Sequence, residues 1–355
     1  MKLVEVIGGL LTAPRVVERL LAFGATLGHT PVRARDTPGF IVNHAGRGYG
    51  TEALRILGEG IADVATIDRV LTDGAGFRMG PFALFDLTGL DVSQPVMESI
   101  YHQYYEEPRF RPSPLAAQRL AAGVLGRKTG RGFYDYGSGA GAVPPLPVPT
   151  AEPARRVWVS GRDRAARERV AALLVSLGAD VDAAARPMED SLCLVMPHGA
   201  DATTAALDEG LDPTRTMALD VVPDLAKHRT LMTTPITRPE VRDAAHALFA
   251  ADGGSVAVIH DSPGFIVQRV LAHIVNIACD IAQQRIAAPA DIDLAVRIAL
   301  AYPMGPLAWG DALGPPRLLA ILNKLSHSYG DPRYRPSPWL SRRARLGVSL
   351  LTPEA

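Results

Sequence analysis

The sequence is poor in cysteine, poor in lysine and carries no surplus of charge. Cys193 and Cys279 are its only cysteines and lie in unrelated contexts. Neither a disulfide framework nor a cysteine-based zinc site can be built from them, and no metal site is expected. Lys+Arg and Asp+Glu each total 37, so the formal charge is zero. That balance argues against bulk nucleic-acid or anionic-membrane binding. Lysine occurs only at Lys2, Lys128, Lys227 and Lys324, an arginine bias that reads as a GC-rich genome rather than a function. No uncharged apolar run reaches the roughly 18 residues of a membrane span. Glu5 falls where a signal peptide needs an apolar stretch. A soluble cytoplasmic protein is expected. At 355 residues and 47% hydrophobic composition, the chain has apolar material for about two or three domains.

What is present is an internal repeat. Asp36-Thr-Pro-Gly-Phe-Ile-Val-Asn43 recurs as Asp261-Ser-Pro-Gly-Phe-Ile-Val-Gln268, an offset of 225 (261 − 36). At the same offset Ile67-Asp68 becomes Ile292-Asp293, Met79-Gly80-Pro81 becomes Met304-Gly305-Pro306, and Asp86 becomes Asp311. Arg109-Phe-Arg-Pro-Ser-Pro114 recurs as Arg333-Tyr-Arg-Pro-Ser-Pro338, now offset by 224 (333 − 109). Such constant register defines two related modules, 36–136 and 261–350. Each reads as helices. A long apolar segment follows the Asp-x-Pro-Gly turn, Asp63 and Thr66 can cap the next helix, and Met-Gly-Pro breaks it. Gly46, Gly48 and Gly50 follow no strand and open no helix, which points to close helix packing rather than a nucleotide loop.

Between the modules, residues 137–153 form a Gly/Pro linker of semi-extended character. Beyond it, candidate strands at 156–159, 179–181, 192–196, 217–221, 230–233 and 256–259 alternate with helical segments, one at 165–177. That alternation predicts a parallel, doubly wound sheet. The first strand–helix turn, Ser160-Gly161-Arg162-Asp163, has one glycine where a dinucleotide fingerprint needs three. The segment reads as a degenerate structural domain.

Few residues are arranged for chemistry. Glu5 lies in an apolar strand, and a functional carboxylate there would need a histidine to orient. None of the nine histidines is an obvious local partner. Asn43 sits one turn into a helix, where an amide can donate to a ligand oxygen or simply be solvated. His44 reads as an exposed helix residue rather than a base. Leu125-Gly-Arg-Lys-Thr-Gly-Arg-Gly-Phe-Tyr-Asp-Tyr136 is a glycine-rich basic turn whose Arg127 and Lys128 could hold an anion. The second module ends without that motif.

At these residues the chain resembles the 3-hydroxyacyl-CoA dehydrogenase family. Met1-Lys-Leu-Val-Glu-Val-Ile7, Asp36-Thr-Pro-Gly-Phe-Ile-Val-Asn43, Met79-Gly-Pro-Phe82 and Gly126-Arg-Lys-Thr-Gly-Arg-Gly-Phe-Tyr134 carry the resemblance. Residues 155–350 look like the duplicated second half of long bacterial 3-hydroxybutyryl- or 3-hydroxyadipyl-CoA dehydrogenases. The resemblance implies oxidation of an (S)-3-hydroxyacyl-CoA to the 3-oxoacyl-CoA with NAD, in β-oxidation-type metabolism. It assigns Glu5 to the glutamate of a His–Glu dyad and Asn43 to an asparagine that contacts substrate near the reacting carbon. It assigns Lys128 to a lysine that reaches NAD, and Met79 and Pro81 to the acyl pocket. The family's His-Phe-Phe-Asn-Pro segment and Gly-x-Gly-x-x-Gly loop have no counterpart in this sequence. In the second copy Glu5 becomes Thr230 and Asn43 becomes Gln268.

The expected fold is therefore mainly α with an α/β insert. Two all-helical dehydrogenase C-terminal-type domains, 1–136 with a remnant strand and 261–355, flank a degenerate Rossmann-like domain at 154–260. A form lacking the NAD-binding domain, and inactive alone, is expected. The alternatives are a non-catalytic acyl-CoA-binding or dimerisation subunit, or half of a split enzyme that docks a separate NAD-binding subunit. The two modules are expected to pair, as a homodimer or as an internal pseudo-dimer.

Overall fold

Strand β1 (Leu3–Gly8) is rich in Val and Ile and pairs in parallel with β2 (Thr30–Arg35), Glu5 standing opposite Val32. Helix α1 (Pro14–Thr26) makes the crossover, with Pro14 in its first turn. It leaves Val16, Leu20 and Phe23 exposed. The first module is then α2 (Val42–Ala45), α3 (Arg47–Gly58), α4 (Val64–Arg69), α5 (Pro81–Thr88), α6 (Leu90–Gln103) and α7 (Pro114–Ala121). A π-helical turn, Val70–Gly74, follows α4. The computed structural model describes residues 2–137 and 146–354. Of the expected linker, 138–145 lie outside the described residues, and 146–153 hold no helix or strand.

The middle segment carries β3 (Arg156–Val159), α8 (Arg164–Ser176), β4 (Asp180–Asp182), β5 (Leu192–Val195), α9 (Ala202–Asp208), β6 (Thr216–Leu219), β7 (His228–Thr233), α10 (Pro239–Phe249) and β8 (Ser255–Ile259). The second module is α11 (Val267–Gln283), α12 (Pro289–Ala299), α13 (Pro306–Leu313), α14 (Pro315–Tyr329) and α15 (Pro338–Leu346).

The expected fold class is overturned on two counts. The first module is not all-helical, because β1 and β2 form a two-stranded parallel sheet with a helical crossover. Nor is the middle sheet wholly parallel. Its six strands run in the order β4-β3-β5-β6-β7-β8, and the β6–β7 pair is antiparallel. The reason lies in the connection. A parallel return needs a crossover of about a dozen residues or more, whereas only 220–227 join β6 to β7, with no helix among them. The molecule is a mixed α/β protein, not a mainly helical one with an insert.

Two compact units result. One comprises Met1–Arg55, Phe77–Gly141 and Val270–Ala355, the other Ile56–Gly76 and Ala142–Arg269. The second is built on the six-stranded sheet, whose core includes Val157, Val170, Leu194, Leu219, Leu231 and Phe249. Gly74 of the π-helical turn lies against His228 of β7.

The repeat is visible in backbone geometry. Phe40 and Phe265, equivalent by register, both take positive φ, 48° and 51°. Gly89 and Gly314 do so at 86° and 88°. Within the first unit the two copies face one another through reciprocal contacts. Arg335 pairs with Glu107 at 2.7 Å, and its equivalent Arg111 pairs with Asp331 at 3.5 Å. Arg109 donates to the Arg335 carbonyl at 2.6 Å, while Arg333 donates to the Arg109 carbonyl at 3.4 Å. Arg109 is buried and also meets Asp280 at 2.5 Å. The glycines of α3 sit where chains pass closely. A Cβ on Gly48 would stand 3.3 Å from the Ile274 Cα, and one on Gly50 would fall 2.5 Å from the Phe85 ring.

Candidate active site

A pocket of about 970 Å³ lies near β2 and α15, but the candidate residues gather elsewhere. Asn43, Met79 and Pro81 line one cavity of about 610 Å³ in the first unit. Each is placed by a local device. Asn43 projects from the short α2, which the chain enters through the positive-φ Gly39 and Phe40. Pro81 occupies the first turn of α5, where its missing N–H costs nothing. Met79 is fixed by its carbonyl, which accepts from the Tyr49 hydroxyl at 2.7 Å. Tyr49, Phe77 and Phe85 supply an aromatic wall, and Arg47, Arg78 and Tyr302 supply the polar groups.

Glu5 is held at the start of the same turn. Its Oε1 accepts from the Ile41 N–H at 2.8 Å and from the Val42 N–H at 3.2 Å. These are unsatisfied donors at the entry to α2, which a carboxylate suits. No histidine among the described residues bonds to Glu5. His44 is fully buried, against the expectation of an exposed residue. Burial holds its imidazole down, to about 3, and its Nδ1 lies 3.1 Å from the Tyr104 hydroxyl. It is a neutral packing group.

Lys128 stands apart from the cavity, in an exposed ion pair with Asp91 at 2.5 Å. The glycine-rich turn around it is organised by a residue that sequence reasoning noted only as a repeat. Asp86 is buried and accepts from the Phe133 N–H at 2.8 Å, the Tyr134 N–H at 2.9 Å and the Tyr136 hydroxyl at 3.0 Å. Its equivalent Asp311 accepts from the Leu350 N–H at 2.8 Å. The shared register of Asp86 and Asp311 was the signal. Arg47 and Tyr302 were also missed, because Tyr302 belongs to the second copy.

In the second copy the equivalent Gln268 is buried and its amide is engaged. Its Oε1 accepts from the Gly199 N–H at 2.8 Å, and its Nε2 donates to Asp220 at 2.9 Å and to the Pro197 carbonyl at 3.2 Å. Burial pushes the Asp220 carboxyl up, to about 6. The β3–α8 turn does not fit a dinucleotide. A pyrophosphate there needs free backbone N–H groups at the helix start. Instead the Asp163 carboxylate accepts from the Ala166 N–H at 3.0 Å, and Ser160 is bound to Glu209 at 2.8 Å. No cluster of His, Cys, Asp and Glu suited to a metal occurs among the described residues, and no helix there is long and apolar enough to cross a membrane.

Comparison with known proteins places this duplicated scaffold in a class. The family model for the 3-hydroxyacyl-CoA dehydrogenase C-terminal domain matches residues 39–136 and 264–349. The 3-hydroxyadipyl-CoA dehydrogenase of Escherichia coli (strain K12) is 36% identical over 98% of this chain and 67% of its own length. The mitochondrial hydroxyacyl-coenzyme A dehydrogenase of Sus scrofa is 42% identical over 136 residues, 38% of this chain and 43% of its own. A crystal structure of 3-hydroxybutyryl-CoA dehydrogenase from Escherichia coli K12 superposes with a TM-score of 0.81 at 35% identity, over 98% of this chain and 68% of that one. The chain belongs to the 3-hydroxyacyl-CoA dehydrogenase family. The structural match, over nearly the whole chain, is likewise at odds with the mainly helical expectation. The chain spans about two thirds of the first relative's length and less than half of the second's.

Proposed function

We propose that this chain serves the NAD-linked oxidation of an (S)-3-hydroxyacyl-CoA to its 3-oxoacyl-CoA, as the region that binds and orients the acyl group. The observation that carries this reading is the convergence of Asn43, Met79 and Pro81 on one cavity. Asn43 donates its amide to a substrate oxygen beside the reacting carbon. Met79 and Pro81 shape the acyl wall and exclude water. Glu5 is a positioning residue. Its Oε1 is anchored by two backbone N–H groups, which leaves the rest of the carboxylate to orient an imidazole base and stabilise its charge. NAD, when bound, accepts the hydride, and Lys128 is the residue of this chain proposed to reach it. The β3–α8 turn does not suit a dinucleotide.

Residues 1–355 by themselves are proposed to bind acyl-CoA with little turnover. A second reading, a subunit that docks a separate NAD-binding protein, is favoured by the apolar face that α1 exposes at Val16, Leu20 and Phe23. Calorimetric titration with acetoacetyl-CoA tests the binding. Saturable binding is expected, weakened about fivefold by Asn43→Ala, the size of one lost hydrogen bond. Absence of binding to the folded wild-type chain would rule the acyl-CoA reading out. An ordinary enzymatic rate of NADH oxidation would rule out only the inactivity of the chain alone.

A further inference from the structure

The second copy of the repeat reaches into the cavity of the first. Leu300, Ala301 and Tyr302, in the turn between α12 and α13, share one lining with Asn43 and Met79. By register Tyr302 is the counterpart of Phe77 (302 − 225 = 77). The two rings meet edge to face at 5.0 Å, and Tyr49 stacks on Phe77 at 4.3 Å. The fold thus brings equivalent aromatic residues together, and what distinguishes them is one hydroxyl.

That hydroxyl is buried and has no hydrogen-bond partner among the described residues. Buried tyrosine hydroxyls ordinarily find one. The backbone that delivers it is costly as well. Ala301 holds φ at 53°, where a Cβ is crowded, and its counterpart in the first copy is Gly76 at 78°. Gly76 and Phe77 fill the equivalent place with neither strain nor an unpaired group, so packing alone demands neither at Ala301 and Tyr302. A ligand that pairs the hydroxyl accounts for both. Burial pushes the Tyr302 phenol up, so it keeps its proton at neutral pH. The nearby Arg47 charge opposes that rise and polarises the O–H without ionising it. The result is a good neutral donor, whose match is an uncharged oxygen.

An acyl-CoA with an oxygen on C3 carries two acceptors of that kind: the C3 oxygen, which the reading above gives to Asn43, and the thioester carbonyl at C1. We propose that the Tyr302 hydroxyl donates to the thioester carbonyl, so that the second copy completes the substrate site of the first. The proposal rests on the acyl-CoA reading and adds a substrate-contacting residue to it. A chain held at one oxygen can pivot about that bond. Two donors, one from each copy, fix two oxygens at once and so set the direction of the segment that contains the reacting carbon.

Calorimetry on the full chain decides this with acetoacetyl-CoA, butyryl-CoA and the thioether S-butyl-CoA, because each step along the series removes one oxygen. Losing the C3 oxygen is expected to weaken binding to the wild type about fivefold, and losing the thioester oxygen about fivefold again. Tyr302→Phe, which leaves the kind of ring that Phe77 already supplies, should erase the second step and keep the first. Asn43→Ala should do the reverse. Infrared spectra of butyryl-CoA labelled with carbon-13 at C1 give a second readout: the carbonyl band should fall in frequency on binding the wild type and stay put with Tyr302→Phe. Equal affinity of the wild type for butyryl-CoA and S-butyl-CoA overturns the proposal and leaves the acyl-CoA reading standing. So does a second step that survives Tyr302→Phe, or one that Arg47→Met removes and Tyr302→Phe does not, which assigns the carbonyl to Arg47. Binding of none of the probes removes both readings together. Thermal melts accompany each variant. Should Tyr302→Phe fail to fold, the wild-type step and band shift carry the decision, and both must persist in Arg47→Met for the proposal to stand.

Discussion

The two copies of the repeat share a scaffold and differ in what they leave open. Asn43 stands exposed at a cavity, with Arg47 beside it and Glu5 beneath its turn. Gln268, at the equivalent position, has both ends of its amide consumed by Gly199, Pro197 and Asp220. Where Arg47 stands in the first copy the second has Ala272, and where Arg78 stands it has Pro303. The turns that build the helices are retained to within a few degrees at Phe40 and Phe265. Duplication has thus preserved backbone devices and interface charges, while the groups that could meet a ligand have either gone or been satisfied from within.

The sharpest way to break the symmetry is at the paired arginines. Arg109→Ala removes the closest cation from Asp280, a mostly buried carboxyl already raised by burial, and leaves it the Ser337 hydroxyl and the Arg335 charge. Removing one partner of such a pair costs about 3–5 kcal/mol. Arg333→Ala should cost less, because its ion pair with Glu52 is longer, 3.6 Å against 2.5 Å, and Glu52 keeps the Tyr334 hydroxyl at 2.6 Å. Urea unfolding of the two variants measures the gap, and equal losses would mean the copies are energetically alike here.

The aspartates that anchor each copy's terminal segment give the next contrast. Asp86→Ala removes three hydrogen bonds from a buried carboxylate and should cost about 2–3 kcal/mol. It should also loosen 126–136, read out as faster amide exchange there. Asp311→Ala, at a partly exposed site, should cost about 1 kcal/mol.

The last effect is one of pH, and its sign differs between His44 of the first copy and Asp220, the middle-sheet residue that holds Gln268 of the second. His44 has a folded pKa of about 3, far below the ordinary histidine value of 6.5. Its stabilisation is present above pH 6.5 and is lost as pH falls. Between pH 6.5 and 5 the loss is about 1–2 kcal/mol. Asp220 is raised from 3.8 to about 6, so its contribution is present below pH 3.8 and is lost as pH rises through 6. Stability followed from pH 4 to 8 should therefore show His44→Gln flattening the acid limb. Asp220→Asn should gain on the wild type progressively between about pH 4 and 6, with the gain level above that.

Much of this was legible in the sequence, and the misses have physical causes. The repeat announced itself because its turn residues, such as Gly39 and Gly264, are demanded by positive φ and tolerate little change. Five of the six strands of the middle sheet were visible as runs rich in apolar residues, and the candidate at 179–181 overlaps β4, which is Asp-Val-Asp. The β6–β7 direction was missed by applying the parallel rule to a connection too short for a crossover. The β1–β2 pair was missed because Leu3–Ile7 was read without the partner that begins at Thr30. Asn43, Met79 and Pro81 were found through motifs, but Tyr302 enters their cavity from more than two hundred residues away, and no local pattern carries that. His44 looked solvated because one polar residue on a helix says nothing of the Tyr104 and Phe110 rings that cover it.

The reciprocal contacts Glu107–Arg335 and Arg111–Asp331 have a further consequence. Both sides of that contact lie on one chain, so it forms in a unimolecular step at the millimolar effective concentration typical of tethered partners. Dilution strong enough to dissociate a pair of separate chains leaves it intact. In an assembly of identical chains every substitution lands on both sides at once. Here a change at Glu107 alters one bridge and spares the other, so each half can drift without dragging its twin. That freedom is what lets one copy keep an open cavity while the other fills its own.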